Sequence, residues 1–222
     1  VLLHGYMATS VMWAPNIAAL SRDRRVYAID VMGQPSKSMP DEPIRDTRDY
    51  VAWLTAALDG LNLGRVSLLG MSFGGWLALK YAVAMPARIQ QLVLLSPGGL
   101  LPMVRQFVLR GMLMTFCPTR LTVNLFMKWT GLTDTPGERD AGPLLHLMYL
   151  GLKHFRMPEE TLRANAAAAK PLSDDELRRL HMPVLLLFGD AELIYDSSEA
   201  FRRERRLMPD LVGDLFRDCR HD

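Results

Sequence analysis

The chain is 222 residues long, enough for one large domain with a substantial core. Its 49% hydrophobic and 23% charged residues suit a globular protein, and a formal net charge of +2 is too small to argue for nucleic acid or an anionic surface as partner. Cys117 and Cys219 make neither a disulfide framework nor a metal-ligand spacing, which fits a reducing, cytoplasmic setting, and no apolar run approaches the ~18 residues that span a bilayer.

Short apolar runs alternate with longer helical patterns. The runs "VLL" (1–3), "RVYAID" (25–30), "RVSLLG" (65–70), "QLVLLS" (91–96) and "PVLLLFG" (183–189) are continuous rather than alternating in polarity. Strands buried on both faces of a parallel sheet read that way. Between them, 47–62 and 73–85 carry apolar residues at helical spacing, and two capping signals, Ser173 with Glu176 and Asp196 with Glu199, announce later helices. Repeated βα predicts an α/β domain with right-handed crossovers.

From about Gly98 to Pro171 the strand pattern stops. Helix-like segments broken by Pro118, Pro136, Pro143 and Pro158 carry Met103, Met112, Met114, Met127, Phe107, Phe116, Phe126 and Trp129. The expectation is a helical cap over 98–171, inserted into a core made of 1–97 and 172–222 and able to line a pocket for something apolar. The basic cluster "FRRERR" (201–206) reads as a solvated helix face. The chain opens inside a strand pattern and without an initiator Met, so an excerpt truncated at both ends is expected.

The strongest chemical signal is "LLGMSFGGW" (68–76), in which Gly70-Met71-Ser72-Phe73-Gly74 fits G-x-S-x-G between a predicted strand and a predicted helix. That context predicts a nucleophile elbow, where a sharp turn projects the Ser72 hydroxyl past the carboxyl end of the sheet. A serine hydroxyl needs a base, and the base an orienting acid. Past the last predicted strand, "FGDAELIYD" offers Asp190 and Glu192, while Asp196 is accounted for as a helix cap. The only histidine downstream is His221; His146, His154 and His181 precede the acid and read as surface or packing residues. In "LLHGYMATSVMW" (2–13), a turn directly after a strand can supply the amide of Tyr6 to an oxyanion, beside that of Phe73. His4 reads as a brace for that turn, and Trp13 as packing behind it.

Taken together, "HGYMATSVMW", "YAIDVMGQPSKS", "GMSFGGWLALKYAVAMPARIQQLVLLSP", "MPVLLLFGDAELIYD" and "CRHD" resemble the α/β-hydrolase superfamily, specifically its lidded esterases. Within it the chain looks most like Bacillus carboxylesterases of the naproxen-ester-hydrolysing type, through "MWAPNI", "DVMGQPSKS" and "ELIYD". The resemblance implies an α/β-hydrolase fold and a serine hydrolase that cleaves carboxylic esters without metal or cofactor. It implies Ser72 as nucleophile, His221 as base, Glu192 as acid with Asp190 as the alternative, and the Tyr6 and Phe73 amides as oxyanion hole. Met71, beside Ser72, is expected to touch a small apolar ester. Pro35 stands where the family's turn has its second glycine. Ser72 argues against dehalogenases and epoxide hydrolases, which use aspartate at the elbow. C–C bond hydrolases, thioesterases and cofactor-free haloperoxidases keep the same triad and stay open, as does a non-catalytic small-ligand receptor.

Overall fold

The computed structural model describes residues 1–131, 142–208 and 210–221, so the predicted break at Pro136 lies outside the described residues. In chain order the elements are β1 (Leu2–Leu3), a 3-10 turn (Ser10–Trp13), α1 (Ala14–Leu20), β2 (Ala28–Ile29), α2 (Thr47–Gly60), β3 (Val66–Met71), α3 (Phe73–Ala84) and β4 (Ile89–Leu95). There follow α4 (Arg105–Phe116), α5 (Arg120–Thr130), α6 (Gly142–His154), α7 (Glu159–Asn165), α8 (Asp174–Arg178), β5 (Val184–Gly189), α9 (Ser197–Leu207) and β6 (Leu211–Phe216). The six strands form one parallel sheet in the order β2-β1-β3-β4-β5-β6.

Helices α2, α3, α8 and α9 form where the pattern requires. Asp46 caps α2 by accepting from the Arg48 and Asp49 amides, and Tyr50, Leu54 and Leu58 repeat every fourth residue on its buried face. Ser173 and Glu176 make a reciprocal capping box on α8, and Asp196 accepts from the Glu199 amide at the start of α9. α3 has no polar face: from Phe73 to Val83 only Lys80 escapes burial, because the sheet lies on one side and α2 on the other. Trp76, Tyr50, Tyr81 and Phe188 are the largest fully enclosed side chains of this core.

Three features depart from the sequence expectations. β6 falls where no strand is predicted. It is the last strand of the sheet and its burial alternates, so it lacks the continuous apolar run of its neighbours. α1, with Pro15 in its first turn, is likewise unpredicted. The "FRRERR" cluster is not simply a solvated face. Arg202, Arg205 and Arg206 are exposed, but Arg203 turns inward to the carbonyls of Leu100 and Leu172 and the carboxylate of Asp174. Glu204 beside it is fully buried against Arg203. Between β4 and α8 the described residues hold helices and no strand, and Met114, Val123, Met127, Met148 and Leu152 form an apolar cluster there with Met7.

Candidate active site

Ser72 sits on the hinge between β3 and α3 with φ +52° and ψ −114°, a conformation a non-glycine residue adopts only under constraint. The constraint is the close passage of three backbone segments. A Cβ on Gly70 would collide with the carbonyl of Gly74, and one on Gly74 with the carbonyl of Leu3. The turn is therefore tight enough to aim the Ser72 hydroxyl away from the sheet while its own carbonyl accepts from the Trp76 and Gly98 amides.

His221 meets that hydroxyl, with Nε2 2.9 Å from Ser72 Oγ. Its Nδ1 lies 2.9 Å from Oε1 and 3.1 Å from Oε2 of Glu192. The carboxylate is fully enclosed, and Oε1 also accepts from the Leu193 and Ile194 amides. Burial alone would push the Glu192 carboxyl up. The nearby imidazole charge and hydrogen bonds from His221, the Ser96 hydroxyl and the Ile194 amide outweigh it and hold the group below its ordinary value. An ionised Glu192 fixes the proton on Nδ1 and leaves Nε2 free to accept from Ser72.

Asp190, the other acid weighed from the sequence, is exposed; its Oδ1 accepts from the Asp218 amide at 2.8 Å. Asp218 takes a positive φ of 58°, so this bond secures the turn that brings the chain back to His221. The turn is held from two more sides. The Ala191 amide donates to the Cys219 carbonyl, and the His221 amide donates to the carbonyl of Thr130 at the end of α5. The Phe107 ring stands edge-on to the imidazole at 5.4 Å. Helices α4 and α5 thus support the histidine as well as the core does.

The loop after β1 passes so close to the elbow that a Cβ on Gly5 would lie 3.7 Å from Cβ of Ser72. Among the described residues neither the Tyr6 amide nor the Phe73 amide has an acceptor, and Phe73 opens α3, where N–H groups point out of the helix. His4 is fully buried and does not touch Ser72. Its Nε2 accepts from the Val31 amide at 2.8 Å and its Nδ1 faces the Gly5 carbonyl at 2.9 Å, an arrangement that needs the neutral ring, and burial lowers its pKa. Gln34, also fully buried, accepts from the Met7 amide at 3.0 Å. Asp30 accepts from the Ser10 and Lys37 amides. Trp13 packs with Leu2 and Met71 behind the loop. No local sequence signal marks Gln34, Asp30 or Thr130, since their partners are distant in the chain.

A cavity of about 340 Å³ opens on Ser72 and His221. Seven methionines line it, Met71 included, with Phe107, Phe116 and Phe126. The Tyr6 hydroxyl, its pKa raised by burial, donates to Met157 Sδ at 3.9 Å, and the Asn165 amide group donates to the same sulfur at 3.1 Å. Among the described residues no three His, Cys, Asp or Glu side chains converge to hold a metal ion, and no helix is long and apolar enough to cross a membrane. His146, His154 and His181 are exposed.

Comparison with known proteins places this geometry in context. The family model described as "alpha/beta hydrolase fold" matches residues 1–123. The chain is 30% identical over 223 residues to an uncharacterized carboxylesterase, nap, of Bacillus subtilis (strain 168), covering 100% of this chain and 72% of that protein. It is 28% identical to the carboxylesterase YbfK of the same organism, covering 100% of this chain and 73% of the relative. The crystal structure of naproxen esterase (carboxylesterase NP) from Bacillus subtilis superposes with a TM-score of 0.89 at 28% identity, over 99% of this chain and 75% of that one.

Proposed function

The chain belongs to the α/β-hydrolase fold family, and from that premise we propose that it hydrolyses carboxylic esters through an acyl-enzyme on Ser72. The observation that carries the reading is the unbroken relay from Ser72 Oγ through the His221 ring to the enclosed Glu192 carboxylate, set in the wall of an apolar cavity. Ser72 Oγ attacks the ester carbonyl as His221 Nε2 takes its proton, and ionised Glu192 stabilises the imidazolium. The Tyr6 and Phe73 amides receive the oxyanion, each worth about 2.7–4 kcal/mol in the transition state. His221 returns the proton to the leaving alcohol, then deprotonates the water that frees the acid and regenerates Ser72.

The cavity supports the substrate class. At about 340 Å³ it suits a small apolar group, and methionines adapt to irregular shapes, so the acyl or alcohol portion is accommodated by flexible side chains including Met71. Hydrolysis of p-nitrophenyl esters of increasing chain length tests the reading. Short and medium chains should turn over and Ser72→Ala should abolish it. Hydrolysis that persists in Ser72→Ala would overturn the nucleophile. Labelling by a fluorophosphonate without ester turnover would favour a receptor or another acyl reaction.

A further inference from the structure

Helices α4, α5 and α6 turn their buried residues inward onto one cluster and leave an apolar stripe on the opposite side. Leu109 and Leu113 on α4, Leu121 and Leu125 on α5, and Leu147 and Leu150 on α6 are spaced three or four residues apart within each helix. Their exposure runs from 36% at Leu150 to 66% at Leu121. Solvated single leucines are ordinary; a layer of them across three adjacent helices is not. The stripe also continues into the cavity, because Met112 and Phe116, 49% and 59% exposed, line its wall as well.

The charge on these helices is one-sided. Arg105, Arg110, Arg120, Lys128 and Lys153 are exposed, and α4, α5 and α6 contain no Asp or Glu. None of the five is in an ion pair among the described residues. Instead Arg110 lies over the Trp129 ring at 4.4 Å, and Arg120 and Lys153 lie over the Tyr149 ring at 5.3 and 5.6 Å. Lys128 continues the stripe of Leu121 and Leu125. The sequence carries Asp134, Glu138, Arg139 and Asp140 between α5 and α6, outside the described residues. The whole-chain charge of +2 therefore hides a segregation, with five cations on these helices and a net negative remainder. A second copy would set like charges face to face. A partner with both anionic groups and hydrocarbon would match both features.

We propose that the outer face of α4, α5 and α6 docks on the surface of an anionic lipid assembly. The leucines enter the acyl boundary, the basic side chains meet headgroup phosphates, and the mouth beside Met112 and Phe116 faces the lipid. The proposal does not depend on the ester reading, and its test does not read activity.

The chain is sedimented with phosphatidylcholine vesicles, with and without phosphatidylglycerol. Binding to the mixed vesicles is expected, weakened by high salt, and strongly reduced on phosphatidylcholine alone. Arg105→Gln and Lys128→Gln should each lower partition about fivefold, from about 1 kcal/mol per basic residue near such a surface. Leu113→Asp with Leu121→Asp should abolish binding while the far-ultraviolet circular dichroism stays unchanged. No binding to the mixed vesicles, equal binding to both, or binding retained by the double aspartate variant would overturn the proposal. So would a protein dimer, seen by sedimentation velocity without lipid, that the double variant dissolves.

Discussion

Glu192→Gln separates the two acids that follow β5. In the native site Glu192 accepts from His221 Nδ1 and from the Leu193 and Ile194 amides. Glutamine keeps the shape but only one acceptor oxygen. That oxygen stays with the two backbone amides, and the NH₂ group then faces Nδ1 as a donor. The imidazole must move its proton to Nε2, which turns a donor toward Ser72 Oγ and removes the base. Loss of the correct tautomer in a triad lowers kcat about ten-thousand-fold, or about 5.5 kcal/mol of barrier. Asp190→Asn is the control. The asparagine oxygen can still accept from the Asp218 amide, so turnover should fall by no more than about threefold, less than 1 kcal/mol. Steady-state hydrolysis of p-nitrophenyl butyrate by the two variants gives the comparison, with circular dichroism to establish folding. A Glu192→Gln enzyme within tenfold of wild type, or an Asp190→Asn enzyme as impaired as expected for Glu192→Gln, would refute the reasoning.

Three further outcomes follow from the packing. Gly70→Ala forces a methyl group into the Gly74 carbonyl and should cost at least about 1–3 kcal/mol, read as a lower thermal midpoint. Gln34→Leu orphans the buried Met7 amide next to Tyr6; a stability loss of about 1–3 kcal/mol together with a fall in kcat is expected, and a variant with unchanged kcat would remove Gln34 from the support of the oxyanion loop. Burial raises the Glu204 carboxyl from 4.5 to about 7, against a smaller opposing effect of Arg203. Because the folded state favours the protonated acid, the cost is fully present above pH 7, about 3 kcal/mol, shrinks between 7 and 4.5, and vanishes below. Denaturant midpoints should therefore rise as pH falls through 7 in the wild type and stay flatter in Glu204→Gln.

The parts legible in the sequence are those whose cause is local. Continuous apolar runs mark strands covered on both sides, and the glycines around Ser72 are dictated by backbone contacts within and beside one turn. The elements that escaped depend on place in the sheet or on distant partners. β6 is half exposed, with Asp214 and Phe216 outward, so its polarity resembles that of a loop. Arg203 looks like its exposed neighbours until Leu100, Leu172 and Asp174 are brought to it by the fold. Asp190 and Glu192 stand alike in the sequence beyond β5. Only the return of residues 217–221 shows that one secures the turn and the other faces His221. The bonds from the His221 amide to Thr130 and from the Ala191 amide to Cys219 likewise join segments far apart in the chain, tying His221 to α5 and to the loop after β5.

Hydrolysis through an acyl-enzyme requires Ser72 Oγ to carry the acyl group. Mixing the chain with a slowly released p-nitrophenyl ester, quenching in acid and mapping the peptides by mass spectrometry reads that claim directly. An acyl adduct on Ser72, formed with a burst of nitrophenol and absent from Ser72→Ala and His221→Ala, is the predicted result. Turnover with an adduct on another residue, or a burst that persists in Ser72→Ala, would contradict it.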